Sequence, residues 1–374
     1  MNDVNVLSWP AALDRIKQRA ERVDTMGEWP EENFSDLYRA GAMGWSIPKS
    51  FSGSELSSLD LHRHYQEMSA ACLTTALVFT QRDAAVEFLV AAQESTLARK
   101  LLVDLAENRI FASIGIAQLT TSGRHQGAAL LASAAPGGFK VNGIIPWATG
   151  VHHAHWLIVG ARIDDQNQIL FALSMDRAGI KIDDCVPMAS LNGSDTASVK
   201  LQDVVIRNDE VLSGPCEDAL AQRGNLHRFT LNTCVVPLGV AAGAIAEAEK
   251  LAALRNDKSQ ETILMLRQSH QALEQQIYAC GTDTGIGKES RAAIHLRARA
   301  NDLAMRSALA CLELAKGRGM LIGNPAQRRV REAMFFFVWS SSPAVIQETL
   351  FRLAGLDHRD SATFSTGSQE ALTS

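Results

Sequence analysis

The apolar positions of this chain change period twice. In LHRHYQEMSAACL, Leu61, Tyr65, Met68 and Cys72 recur at steps of four, three and four, which places them on one face of a helix. The stretch from Glu87 to Ala106, rich in Leu, Ala and Glu, predicts another helix, and Ser46 to Glu55, rich in Pro, Ser and Gly, reads as a loop. From about Phe111 the texture becomes short runs of Val, Ile and Phe bounded by Gly, Asn or Asp, as in GGFKVNG, HWLIVGAR, ILFALSM and ASVKLQDVVI. These are strand signals, with Val199, Leu201 and Val204 assigned to one face. No helical pattern of 10–15 residues separates them, which favours an antiparallel sheet or small barrel over a parallel α/β sheet. From about Asp218 the helical period returns, through Leu226, Phe229, Thr233 and Pro237, then Leu296, Ala300, Leu303, Ser307, Ala310 and Leu314. The expected class is α+β, with a helical domain over 1–110, a middle antiparallel β domain over 111–215, and a helical domain over 216–374 that ends in a polar tail.

Composition narrows the picture. With 374 residues, 46% hydrophobic and 21% charged, the chain can build a sizeable core, and wholesale disorder or a small disulfide-stapled fold is excluded. The formal charge of −5 argues against a dedicated nucleic-acid binder. Six scattered cysteines form no CxxC pair, which fits reduced thiols inside a cell. The N-terminus lacks the pattern of a secretory signal, and the most apolar run, Cys234 to Ile245, is too short for a bilayer and contains Pro237. A cytoplasmic protein without membrane insertion is expected.

Some motifs lead nowhere. GTDTGIGKES has one residue too many before Gly287-Lys288 for a phosphate-binding loop, and Lys288 is followed by Glu289. His152, His153 and His155 cluster, but no carboxylate or thiol stands near them in sequence, so no metal site is expected there.

Four segments occur in an order that resembles the acyl-CoA dehydrogenase family. DLYRAGAMGWSIPKSFSG is similar to the family's N-terminal helix ending in a Gly-x-x-x-Pro turn. GGFKVNGIIPWATGVHHAHWLIVGAR resembles the strand pair carrying a Trp-x-Thr/Ser flavin motif, here Trp147 and Thr149. LNGSDTASVKLQDVVI resembles the segment closing the sheet domain, and KGRGMLIGNPAQRRVREA the Gly-rich stretch and Arg-Asp-Ala before the active-site turn. The resemblance implies a helical domain, a β-barrel and a four-helix bundle, with FAD (FMN as the variant) between barrel and bundle in a homodimer or homotetramer. It also implies a small-molecule substrate such as a CoA thioester. The electron acceptor or flavin reductase is left open.

Carried over residue by residue, the resemblance makes Trp147 a wall for the flavin and Thr149 a donor to its heteroatoms, as a ring system with polar edges requires. Gln118, Leu119, Thr120, Thr121 and Ser122 occupy the family's pyrimidine and pyrophosphate segment, without its Glu-Pro pair and closing Asp. Arg255, Gly317, Gly319 and Ser342 are carried over as further cofactor contacts, although the Phe-Gly that follows the family's arginine is missing after Arg255. The family's usual base is the Glu of a Tyr-Glu-Gly-Thr turn. Here that turn is Trp339-Ser340-Ser341-Ser342, so Ser340 stands at the Glu position and is not expected to act as a base. The alternative base position, in Leu-Glu-Arg, reads Leu226-His227-Arg228, which makes His227 the candidate base, and Arg228 and Trp339 candidate pocket residues. Three functions stay open: a flavin oxidoreductase acting on the CH–CH bond of an acyl thioester or related substrate, a flavin monooxygenase on the same scaffold, and a catalytically silent oligomeric or ligand-binding protein.

Overall fold

A computed structural model describes residues 6–119, 130–221, 226–255, 257–282 and 290–355; the side chains of 226–230 and of 282 lie outside that description. Five helices come first: α1 (Trp9–Met26), α2 (Glu31–Arg39), α3 (Ser58–Ala71), α4 (Leu73–Ala91) and α5 (Thr96–Ala106). The single helix expected over 87–106 is divided between α4 and α5. Ser95 causes the break by capping α5 with its side chain, which accepts from the Ala98 N–H.

Eight strands follow: β1 (Ala112–Gly115), β2 (Leu130–Ala135), β3 (Gly138–Ala148), β4 (Trp156–Arg162), β5 (Gln168–Ser174), β6 (Ile180–Ile182), β7 (Ala197–Arg207) and β8 (Val211–Cys216). They pair in the order β6-β7-β3-β2-β4-β5-β8, with β1 beside β4. The barrel expectation is corrected here. The sheet is open and mixed: β1 runs parallel to β4, and the terminal strands β6 and β8 do not pair among the described residues. With only three residues, β6 offers little edge to close on.

The two halves of the sheet are covered differently, and that places the candidate site. Strands β4 and β5 are buried on both faces, from Leu157 to Ala161 and from Ile169 to Leu173, because α4 and α5 pack over them. Strands β3 and β7 alternate buried and exposed positions. Val199, Leu201 and Val204 all face inward, although their spacing breaks strict alternation. Asp203 absorbs the extra residue with a φ of 52°, its N–H held by the Asn142 side chain at 2.7 Å. The outer face of β3 is left carrying Ile144 and Trp147.

The last region holds three long helices, α6 (Leu226–Ala252), α7 (Ser259–Thr282) and α8 (Arg291–Ala315), and two short ones, α9 (Pro325–Phe335) and α10 (Pro343–Leu353). By length and hydropathy the 231–252 part of α6 is apolar enough to cross a membrane, but most of it is buried in the core shared with α3 and α8. Gly239 makes the approach to α3 possible: a Cβ there would lie 2.0 Å from Ser69 Oγ and 2.1 Å from the Gln66 carbonyl.

On α7, buried His270 donates from Nε2 to the Leu238 carbonyl at 3.1 Å. Burial pushes its pKa below 6.5, with Glu274 acting in the opposite direction. A depressed folded pKa means the site contributes fully above the unfolded value near 6.5, and the contribution is lost as pH falls through the folded pKa. Thermal melts between pH 7.5 and 5 are therefore expected to show an acid-side loss of stability that is smaller in His270→Gln; equal losses in both proteins would remove this assignment.

Candidate functional site

Trp147 sits where β3 departs from regular pairing, since its register against β7 shifts between Ile145 and Ala148. A bulge of this kind re-aims the side chains beside it. The indole is 51% exposed on the uncovered face of the sheet. Thr149 follows in the turn, its hydroxyl 3.2 Å from that of Thr196, which is in turn 2.8 Å from Ser194 Oγ. The backbone joins the same two segments, Gly150 N–H to the Ser194 carbonyl and Val151 N–H to that of Asp195. Gly150 is required there: its φ is 67°, and a Cβ would come within 3.0 Å of Trp29 and Phe111.

This turn lies where all three parts of the chain meet. Gly193, in the segment that holds Thr149, packs on Val23 and the Glu28 carbonyl at the end of α1. Arg331 of α9 donates to the Ala189 carbonyl at 3.0 Å and pairs through both terminal nitrogens with Asp24 of α1. Sheet, first helix and bundle are thus tied together beside Thr149.

The segment after β1 is placed differently from its expected role. Leu119 is buried, and its side chain fills the space a Cβ on Gly160 would need. Gln118 is also buried and donates from Nε2 to the carbonyls of Gly115 at 2.9 Å and Gly160 at 2.5 Å. Its Oε1 has no hydrogen-bond partner among the described residues. Both side chains anchor the strand end. Thr120, Thr121 and Ser122 lie outside the described residues.

The turn between α9 and α10 has its own buried support. Ser340, at the position where a carboxylate base was sought, is exposed with a φ of 51°. Ser342 is buried and caps α10, accepting from the Val345 N–H. Trp339 stacks on Phe335 with ring centroids 5.5 Å apart, packed against the helical core instead of standing in an open pocket. Beneath it, Arg297 of α8 is 3% exposed. It donates from Nη2 to the carbonyls of Phe336 at 3.3 Å and Trp339 at 3.0 Å, and its guanidinium lies 5.2 Å from the Trp339 ring centroid. Asn301 Nδ2 donates to the same Phe336 carbonyl at 3.1 Å. No carboxylate pairs with Arg297 among the described residues, and Arg297 Nε, Arg297 Nη1, Asn301 Oδ1 and Asn232 Oδ1 are buried without hydrogen-bond partners. Burial pushes the guanidinium pKa down to about 10, with Cys234 working against it; the Cys234 thiol is itself pushed up to about 11 by burial.

Arg297 and Asn301 were not singled out in the sequence, yet a signal existed. Arg297, Asn301, Ala304 and Ala308 follow one another at steps of four, three and four beside the apolar stripe of α8, so a charged residue stands on a buried face. The remaining expected residues are dispersed. His227 and Arg228 fall in the first turn of α6, with side chains outside the description. Arg255, past the end of α6, pairs with Asp257 at 2.7 Å. Gly317 faces open space, whereas a Cβ on Gly319 would press on Leu312 and Ala315, so packing already accounts for that glycine. No hydrogen bond joins Arg255, Gly317 or Gly319 to the Trp147 or Ser340 groups among the described residues.

Comparison with known proteins places this geometry in context. The model of the acyl-CoA dehydrogenase N-terminal domain matches residues 11–109. A probable acyl-CoA dehydrogenase of Bacillus subtilis (strain 168), YngJ, is 22% identical over 345 residues, covering 86% of this chain and 89% of that protein. The oxygenase subunit HsaA of a flavin-dependent monooxygenase from Rhodococcus jostii (strain RHA1) is 22% identical over 231 residues, 61% of this chain and 57% of its own length. The solved butyryl-CoA dehydrogenase of Megasphaera elsdenii superposes with a TM-score of 0.79 at 16% identity, covering 95% of this chain and 99% of that one.

Proposed function

Because the chain is acyl-CoA dehydrogenase-like, in its N-terminal sequence and in its whole fold, we propose that it is a flavin-dependent oxidoreductase acting on the CH–CH bond of an acyl thioester or related substrate. The observation that carries this reading is the half-exposed Trp147 indole on the uncovered sheet face, two residues before a threonine at the junction of the three parts. An isoalloxazine needs a flat apolar wall and directed polar partners. Trp147 fits the first requirement. The Thr149 hydroxyl, hydrogen-bonded to Thr196 among the described residues, fits the second. FAD is the preferred flavin and FMN the alternative. When bound, it supplies the acceptor for two electrons leaving the substrate. In this reading His227 takes the substrate's α proton, while Arg228 borders the acyl group.

A second reading, monooxygenation, is favoured by the α9–α10 turn. Ser340 supplies no carboxylate, and the arginine beneath the turn has no acidic partner among the described residues, so an α-proton base is missing where dehydrogenation most needs one. The partial similarity to a monooxygenase subunit points the same way.

The decisive experiment is flavin extraction and an absorbance spectrum of protein purified without added cofactor, followed by anaerobic addition of acyl-CoA. Dehydrogenation predicts a yellow protein that bleaches, and bleaching slowed by about 10²–10⁴-fold in His227→Ala. Turnover only with oxygen and externally reduced flavin selects the monooxygenase. Protein with no affinity for FAD or FMN sinks both readings.

We further propose a homodimer or homotetramer, because Met320, Leu321, Ile322, Val338, Leu350 and Leu353 are exposed along the C-terminal region. Sedimentation should return two or four times the chain mass, and a monomer at micromolar concentration would refute it.

A further inference from the structure

The three histidines after β3 part ways in the fold. His153 stacks on Trp29 at 4.2 Å, and His155 Nδ1 accepts from the Phe111 N–H at 3.1 Å. His152 meets two residues from a distant part of the chain, Cys185 and Asp195. Its Nδ1 is 2.8 Å from Asp195 Oδ1, Cys185 Sγ is 3.0 Å from that same oxygen, and Sγ and Nδ1 are 3.8 Å apart.

Three features distinguish this cluster from an incidental surface contact. One nitrogen, one oxygen and one sulfur converge on a common point, all within 4.8 Å of one another. A nucleophile–base relay would instead chain the thiol to one ring nitrogen of the histidine and the carboxylate to the other; here both face Nδ1. The carboxylate is also pre-set. Asp195 has a φ of 51°, and its Oδ2 accepts the His152 backbone N–H at 2.8 Å, which turns Oδ1 toward the other two groups. Finally, no Lys or Arg pairs with Asp195 among the described residues, and Asp184 lends further negative charge beside Cys185.

We propose that His152, Cys185 and Asp195 form a binding site for a thiophilic divalent cation, Zn²⁺ by the chemistry of the ligand set. Tetrahedral bonds of ordinary zinc length place neighbouring ligand atoms about 3.3–3.6 Å apart. The two short separations need only open by roughly half an ångström to reach that range, and exposed Cys185 and His152 are free to make the adjustment. In the metal-free site the Cys185 S–H donates to the Asp195 carboxylate. Binding exchanges that proton for the metal: the S–H bond breaks, the S–Zn bond forms and one H⁺ leaves to solvent. Three protein ligands leave a fourth position for water. A bound ion clips the 185–196 segment to the turn holding Thr149, a bridge independent of whether a flavin binds.

The test is a titration of EDTA-stripped, full-length protein with Co²⁺. One equivalent per chain should saturate with a near-ultraviolet thiolate-to-cobalt band and tetrahedral visible bands, both displaced by Zn²⁺, and Zn²⁺ should raise Tm. Cys185→Ala should lose the near-ultraviolet band, and Cys185→Ala and Asp195→Asn should each lose at least tenfold in affinity. Asn tolerates the left-handed backbone, and circular dichroism checks that both variants fold. Absence of saturable binding, or an undiminished band in Cys185→Ala, overturns the site.

Discussion

Trp147→Ala is expected to yield a folded protein that has lost its flavin. Because the indole is half exposed and sits outside the sheet core, removing it should move Tm little. Stacked against an isoalloxazine, the same ring would bury most of its remaining face, worth about 2 kcal/mol, or roughly thirtyfold in Kd. Flavin that co-purifies with the parent protein should wash out of the variant, and titration with FAD should show the weakened affinity. Trp147→Phe should recover part of it, since a smaller flat ring remains. Unchanged flavin content in Trp147→Ala would mean that the cofactor, if any, lies elsewhere, and the functional proposal would lose its place on the molecule.

The second large effect is expected at Arg297. Its Nη2 holds two carbonyls of the α9–α10 turn, and its guanidinium faces Trp339. Truncation to Ala leaves a cavity and leaves the Trp339 carbonyl with only a long 3.5 Å bond from the Ser341 hydroxyl among the described residues, while removing a buried charge that has no carboxylate partner among them to offset its desolvation. The first two effects outweigh the third, and a net loss of about 2–4 kcal/mol is expected. Chemical denaturation measures it, and limited proteolysis should find the turn opened around residues 336–342. Arg297→Lys should fall between, because an ammonium keeps the charge without the planar fork that spans two carbonyls. If Arg297→Ala denatures like the parent protein, the arginine does not hold the turn, and the Ser340 region must be ordered by other contacts.

Much of the fold was legible because it rests on local periodicity. The stripe Leu61, Tyr65, Met68 and Cys72 is buried along α3, and Val199, Leu201 and Val204 line the inner face of β7. The strand-and-turn setting of Trp147 and Thr149 was legible from the same kind of local signal. What escaped was non-local. Barrel closure depends on whether edge strands meet, and neither β6 nor β8 carries a mark of its partner. Gln118 and Leu119 sit in a recognisable segment, yet Gly115 and Gly160 determine where their side chains go.

The sequence by itself determined the order of helical, sheet and helical parts, the strand bearing the exposed tryptophan, and the serine where a base was sought. Those depend on neighbours within a turn or two, where spacing dictates which face a side chain takes. Only the tertiary structure decided that the sheet stays open, that Arg297 lies beneath the serine turn without an acidic partner among the described residues, and that Cys185 and Asp195 close on His152. Each joins residues tens of positions apart, and packing brings such groups together without any constraint on the letters between them.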